Sequence, residues 1–144
     1  MLNRRILRIK AFKVLYGSVM SDAVTLAQAE AQLDISCEAT RDLYLYMLSI
    51  VSPLTQIARD RIEAAKSKFN PTEEERNPNM KFAENSLAAL LDQDVDFQKI
   101  IAKKKYSWGQ YDLLLKKVMT SVASKPYYAE YMASPERSLA EDCK

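Results

Sequence analysis

Arg4, Arg5 and Arg8 lie at the front of the chain, ahead of any acidic residue. A guanidinium is a planar fork of donors that matches a phosphate or carboxylate two bonds at a time. At 100° per helical residue, Arg8 falls about 40° and Arg5 about 100° from Arg4, so the three forks share one arc. Asn3 is a good helix cap, which places this arc on a first helical turn. A helix N-terminus carries about half a positive charge and favours acids there by roughly 0.3 to 1 kcal/mol, so three arginines run against helix stability. A polyanion would use the exposed amide donors, the dipole and the three forks together. The competing reading is that the arginines pair with acids elsewhere in the fold.

The elements that must position this arc are helical. With 48% hydrophobic residues, two glycines and five prolines, the chain has the composition of a globular protein and little material for tight hairpins. The 144 residues suit a single domain over 1–144 that needs neither metal nor disulfide to hold it. The periodicity predicts a first helix from Asn3 to about Met20, with Ala11, Phe12, Leu15 and Val19 as its core stripe. These fall on the same arc as the arginines, so the basic end should project beyond the core. Thr25 with Gln28 is a capping signal for a short helix carrying Leu26, Ala29 and Leu33 inward and ending near Ile35. Ser36 opens a long third helix through Phe69, kinked at Pro53. Residues 70–79 read as the main loop, because Asn-Pro disfavours helix before each proline. Short helices are expected over 80–93 and 94–105, the latter capped by Asp94 or Asp96. After a break at 106–111, Tyr111, Leu115, Val118 and Val122 form another stripe, and Lys125-Pro126 begins a helix with a tyrosine cluster. Ser134-Pro135, and Ser138 with Glu141, are capping signals for a last short helix. No alternating strand of useful length occurs, and the fold class is all-α, a compact bundle of about six to seven helices.

The overall charge is +2, yet the positive field is local. The first 21 residues carry five basic side chains and no acid, so the remainder is net acidic. A second basic stretch holds Lys99, Lys103, Lys104, Lys105, Lys116, Lys117 and Lys125, opposed between Phe97 and Lys125 only by Asp112. Such patches attract polyanions, although a lysine run is more often a solvated face. Tyr106 and Trp108 beside it could stack on bases, against the default of a tucked core tryptophan.

Catalytic chemistry is sparse. The chain has no histidine, the commonest general base and metal ligand. Cys37 and Cys143 have no close spacing, and Cys37 has no basic neighbour to make it a nucleophile. The acids Glu73, Glu74 and Glu75, and Asp92, Asp94 and Asp96, follow no calcium-loop pattern. Gly17 and Gly109 cannot build a nucleotide loop. No catalytic residue, metal or cofactor is expected. No apolar run is long enough to span a membrane and no secretory signal is apparent, so a cytoplasmic protein starting at Met1 is expected.

Residues 4–21, RRILRIKAFKVLYGSVMS, resemble the opening helix of the bacterial transcription antitermination factor NusB family. Arg4-Arg5, Arg8, Ala11 and Leu15-Tyr16 match that helix in order and spacing, and residues 41–51, RDLYLYMLSIV, loosely resemble the next core helix. The acidic loop at 70–79, the lysine run and the tyrosine cluster depart from the family pattern. The longer NusB proteins of the Bacteroides group are the most similar in character, with an enlarged first half, and the resemblance implies a native continuation after Lys144. It also implies binding of boxA-type single-stranded RNA together with ribosomal protein NusE, within an RNA polymerase antitermination complex acting on ribosomal RNA operons. Carried over, Arg4, Arg5 and Arg8 become RNA contacts, and Tyr16 either joins them or lies in the core. A homodimer is left open. Two other readings stand beside this one: a helical protein-interaction module without an RNA role, and the RNA-presenting domain of a ribosomal RNA methyltransferase.

Overall fold

A computed structural model describes residues 3–21 and 24–143. Among them every regular element is helical: α1 (Arg4–Met20), α2 (Leu26–Leu48), α3 (Val51–Lys66), α4 (Glu73–Arg76), α5 (Ser86–Gln93), α6 (Val95–Lys104), α7 (Asp112–Ala123), α8 (Pro126–Ala133) and α9 (Leu139–Asp142), with a 3-10 turn at Gly109–Tyr111. The fold is therefore all-α, as the periodicity predicts. Contacts divide the chain into two units, Met1–Met47 and Leu48–Lys144.

The first unit holds α1 and most of α2. Lys10 ties the two together: its Nζ donates to the Ser36 carbonyl at 2.7 Å and to Ser36 Oγ at 2.8 Å. Ala29 is the buried residue of this unit among those described. The expected core stripe of α1 is not buried: Phe12, Leu15 and Val19 are 68%, 58% and 76% exposed. The half-buried side carries Lys10, Ala11, Val14 and Ser18 instead, because the Lys10 anchor turns that side toward α2. Leu26 faces out as well, while Leu33 is half-buried.

The expected helix boundary at Ile35–Ser36 does not occur. Ser36 sits inside one continuous α2, where its hydroxyl accepts from Lys10 rather than capping a helix. The break falls later, between Leu48 and Val51. Pro53 is then the third residue of α3, a first-turn position where its missing N–H costs nothing because no intrahelical acceptor exists there. It starts a helix instead of kinking one.

In the second unit α3 is the central element, packed on α5, α7 and α4. The core joins Ile57 and Ala58 of α3, Ala83, and Leu115 and Met119 of α7, with Leu54, Phe82, Trp108 and Tyr128 around them. Two arginines of α3 reinforce the packing. Arg59 Nε donates to the Ala83 carbonyl at 2.9 Å, and Arg61 Nη2 reaches the Lys116 carbonyl and Thr120 Oγ1 at 3.1 and 2.8 Å.

The segment 70–79 is more ordered than a loop. Thr72 and Glu75 form a capping box around α4, and Lys68 pairs with Glu75, whose carboxyl is held below its usual range by that hydrogen bond. Asn85 starts α5 by accepting from Leu87 N and Ala88 N, and Asp94 starts α6 by accepting from Phe97 N at 2.7 Å. Lys125-Pro126 begins α8 as expected. Ser134-Pro135 does not begin a helix; Ser138 does, its Oγ accepting from Glu141 N.

The end of α8 explains a buried cation. The last four carbonyls of a helix have no intrahelical donors and carry the negative end of its dipole. Lys81, only 1% exposed, donates from Nζ to the Tyr131 carbonyl at 2.6 Å and the Ser134 carbonyl at 2.9 Å. Asn79 Nδ2 donates to the Met132 carbonyl at 2.7 Å. The ammonium also lies 4.3 Å from the Tyr131 ring centroid.

Candidate nucleic-acid interface

The α1 surface is built from its cap outward. Asn3 Oδ1 accepts from Arg5 N at 2.9 Å, and the Asn3 carbonyl accepts from Leu7 N at 3.1 Å, so the helix starts without an acid in its first turn. Arg4, Arg5 and Arg8 are all exposed. Among the described residues no acid is seen to pair with any of them; Lys68–Glu75, Lys99–Asp96 and Lys116–Asp112 are ion pairs of the second unit. The three forks are therefore not satisfied by neighbouring carboxylates. Lys10, also basic and near in sequence, is committed to Ser36.

Along the same arc the surface becomes aromatic. Phe12 and Tyr16 stack with ring centroids 6.2 Å apart and planes 23° from parallel. Spacing of four residues brings two side chains together on one helix face. Tyr16 is 59% exposed, so of its two expected locations it takes the surface. Leu15 and Val19 continue the exposed line. The face can supply cationic forks for phosphates and rings for bases, the combination single-strand binders use. Phe12 was assigned to the core by periodicity; its place four residues after Arg8 and four before Tyr16 is the signal that joins it to both.

The second basic stretch is different in kind. Lys99, Lys103, Lys104, Lys105, Lys116, Lys117 and Lys125 are exposed, but Lys99 and Lys116 pair with Asp96 and Asp112 within their own helices. Lys105 ends α6 in the left-handed conformation, at φ 55°. Trp108 is tucked: its Nε1 donates to Ser49 Oγ at 3.0 Å, its ring meets Tyr111 edge-on at 6.0 Å, and it packs on the core of the second unit. A half-buried Tyr106 lies near it in sequence, so the pair does not form an open stacking platform.

Several of the acids that follow no calcium-loop pattern have structural places. Glu73, Glu74 and Glu75 occupy the first turn of α4, which favours negative charge, and Asp94 caps α6. Asp92 Oδ1 accepts from Ser52 Oγ at 2.7 Å. Among the described residues no group of three potential ligands is arranged for a metal, and no helix is long and apolar enough to cross a membrane.

A second polar centre has no sequence motif. Tyr131 Oη donates to Asp142 Oδ1 at 2.7 Å, and Asp142 Oδ2 accepts from Ser86 N at 2.8 Å and from Ser86 Oγ. Burial, then the bond to Asp142, pushes the Tyr131 phenol up to about 12. Burial also works to raise the Asp142 carboxyl, but hydrogen bonds from Ser86 and Tyr131 and the charge of Lys81 outweigh it and hold the group below its usual range. These residues are separated by up to 61 positions, so spacing could not join them.

No protein-family model, curated protein or solved structure matches this chain. The likeness to the NusB family rests on the residues of α1 and a weaker stretch. That stretch, residues 41–51, read from the sequence as similar to one further core helix, ends α2, crosses the turn at 49–50 and reaches the first residue of α3.

Proposed function

We propose that the chain is a transcription antitermination factor of the NusB type, whose α1 surface binds boxA-like single-stranded RNA. It would act with ribosomal protein NusE in an antitermination complex on RNA polymerase, as the resemblance implies. One observation carries this reading: three exposed guanidiniums with no acidic partner run into an exposed stacked aromatic pair on one helix face. Arg4, Arg5 and Arg8 would meet phosphates and base edges, and Tyr16 with Phe12 would offer ring faces. Nothing in this role asks the chain for catalysis or a cofactor.

Titration of a boxA-like RNA against a scrambled control, at several salt concentrations, tests the reading. Each phosphate neutralised on a single strand adds about −0.7 to the logarithmic salt slope. Replacing Arg5 and Arg8 together with alanine should therefore lower the slope by about 1.4 and weaken binding, with thermal stability nearly unchanged. Equal affinity for both RNAs removes the boxA assignment, and unchanged RNA affinity in the double variant removes α1 as the interface. Leu15, Val19 and Met20, exposed on α1, favour a second reading as a helical protein-interaction module. RNA-independent capture of NusE, with no RNA binding by the chain, would support that one.

A further inference from the structure

The second unit contains a cavity of about 410 Å³ between α7, α8 and the turn of α9. Its size lies within the roughly 300 to 1,000 Å³ range of small-molecule sites. Four rings line it, those of Phe82, Tyr127, Tyr128 and Tyr131, together with Val122 of α7. Phe82 and Tyr128 meet edge to face with centroids 5.6 Å apart. Burial raises the phenols of Tyr128 and Tyr131 above their ordinary value, so both stay uncharged at neutral pH.

The deep polar groups of the wall are already engaged. Asn85 accepts from Leu87 N and Ala88 N, and it donates to the Asp142 carbonyl at 3.2 Å. Tyr131 Oη donates to one oxygen of the Asp142 carboxylate, and the other accepts from Ser86. The charge of Lys81 acts on Asp142 as well. Glu141 is buried and is not free either, while Glu130 is exposed to water. Among the described residues no lysine or arginine lines the cavity.

These commitments decide the charge of a guest. A charged group that leaves water needs a fixed partner in its new site, and without one the transfer is strongly unfavourable. An anion finds no basic side chain at this wall. A cation finds carboxylates that are bonded within the fold, under the charge of Lys81, or in water. A neutral guest needs no such partner and gains by burying its apolar surface. The rings then select among neutral guests, because an aromatic guest adds edge-to-face and offset contacts to what its area supplies.

We propose that this cavity binds a small neutral aromatic compound of one or two rings. The rings of Phe82, Tyr127 and Tyr128 would hold it, with Val122 against it from α7. This site is independent of the RNA-binding reading, which concerns α1.

Calorimetric titration of the full chain with 2-naphthol tests it, against three guests of the same outline: 2-naphthoate, 2-naphthylmethylammonium and decahydro-2-naphthol. Saturable binding of 2-naphthol is expected, with both charged guests at least about tenfold weaker and the aliphatic alcohol about two- to tenfold weaker. Tyr127 is exposed on α8 and Phe82→Leu keeps an apolar side chain, so Tyr127→Ala and Phe82→Leu should keep the fold, checked by circular dichroism. Each should weaken 2-naphthol about two- to tenfold, the worth of one ring contact. A charged guest that binds as tightly as 2-naphthol would overturn the proposal, because the wall would then hold a free counter-charge. Equal binding of decahydro-2-naphthol would overturn it in favour of a merely apolar cleft. Absence of saturable 2-naphthol binding at millimolar concentration would also overturn it, as would affinity unchanged in Tyr127→Ala and in Phe82→Leu.

Discussion

Lys81→Met removes the buried ammonium while keeping an apolar side chain of similar length. In the native chain Nζ makes two charge-assisted bonds, to the carbonyls of Tyr131 and Ser134, and sits over the Tyr131 ring. Methionine leaves both carbonyls without this donor, at about 1 to 3 kcal/mol each, and forfeits a cation–π contact of about 1 to 2 kcal/mol. Against this, burying an ammonium costs several kcal/mol, which the substitution returns. The net expectation is a loss of about 2 to 3 kcal/mol, because the two acceptors remain in place and the end of α8 keeps its dipole. Urea denaturation followed by fluorescence reads this directly, since the chain has one tryptophan and Trp108 packs on the same core. The loss should be nearly the same in 0.1 M and 1 M salt, because a residue that is 1% exposed is poorly screened. A variant within about 0.5 kcal/mol of the parent, or more stable, would refute the claim that Lys81 holds the end of α8 in net favourable terms.

Leu115→Ala removes the most deeply buried leucine of α7, 4% exposed, and should cost about 2 to 5 kcal/mol in the same denaturation assay. Tyr131→Phe should change the alkaline limb of stability. The native phenol titrates near 12, above its ordinary 10, so the unfolded chain releases this proton first as pH rises. The stabilisation from Tyr131 is thus full below pH 10 and is lost between about 10 and 12. The parent's advantage over Tyr131→Phe, of order 1 kcal/mol after allowing for solvent screening, should shrink across that window; a constant difference would contradict the assignment. Lys10→Met breaks the two bonds to Ser36, and hydrogen exchange should report faster exchange of α1 amides. Protection identical to the parent would mean that Lys10 does not anchor α1.

The helical character of the chain was legible in its sequence because helix formation is local. Asn3, Asp94 and Ser138 accept from amides two or three residues ahead, and Pro126 opens α8 through a preference of its own backbone. The cationic arc of α1 was legible for the same reason, since Arg4, Arg5 and Arg8 share a face once the helix exists. Tertiary contacts decided what periodicity leaves open. An apolar stripe marks a face able to be buried, but not what covers it, and the Lys10–Ser36 bonds turned α1 so that Phe12, Leu15, Tyr16 and Val19 stay exposed. Ser36 reads equally well as a cap or as a helix-interior acceptor, and its partner Lys10 lies in another helix. The depth of Lys81 and the joining of Tyr131, Asp142 and Ser86 arise where distant segments meet at the ends of α8 and α5, because orphaned carbonyls and amides at helix ends take whichever side chains the packing brings to them.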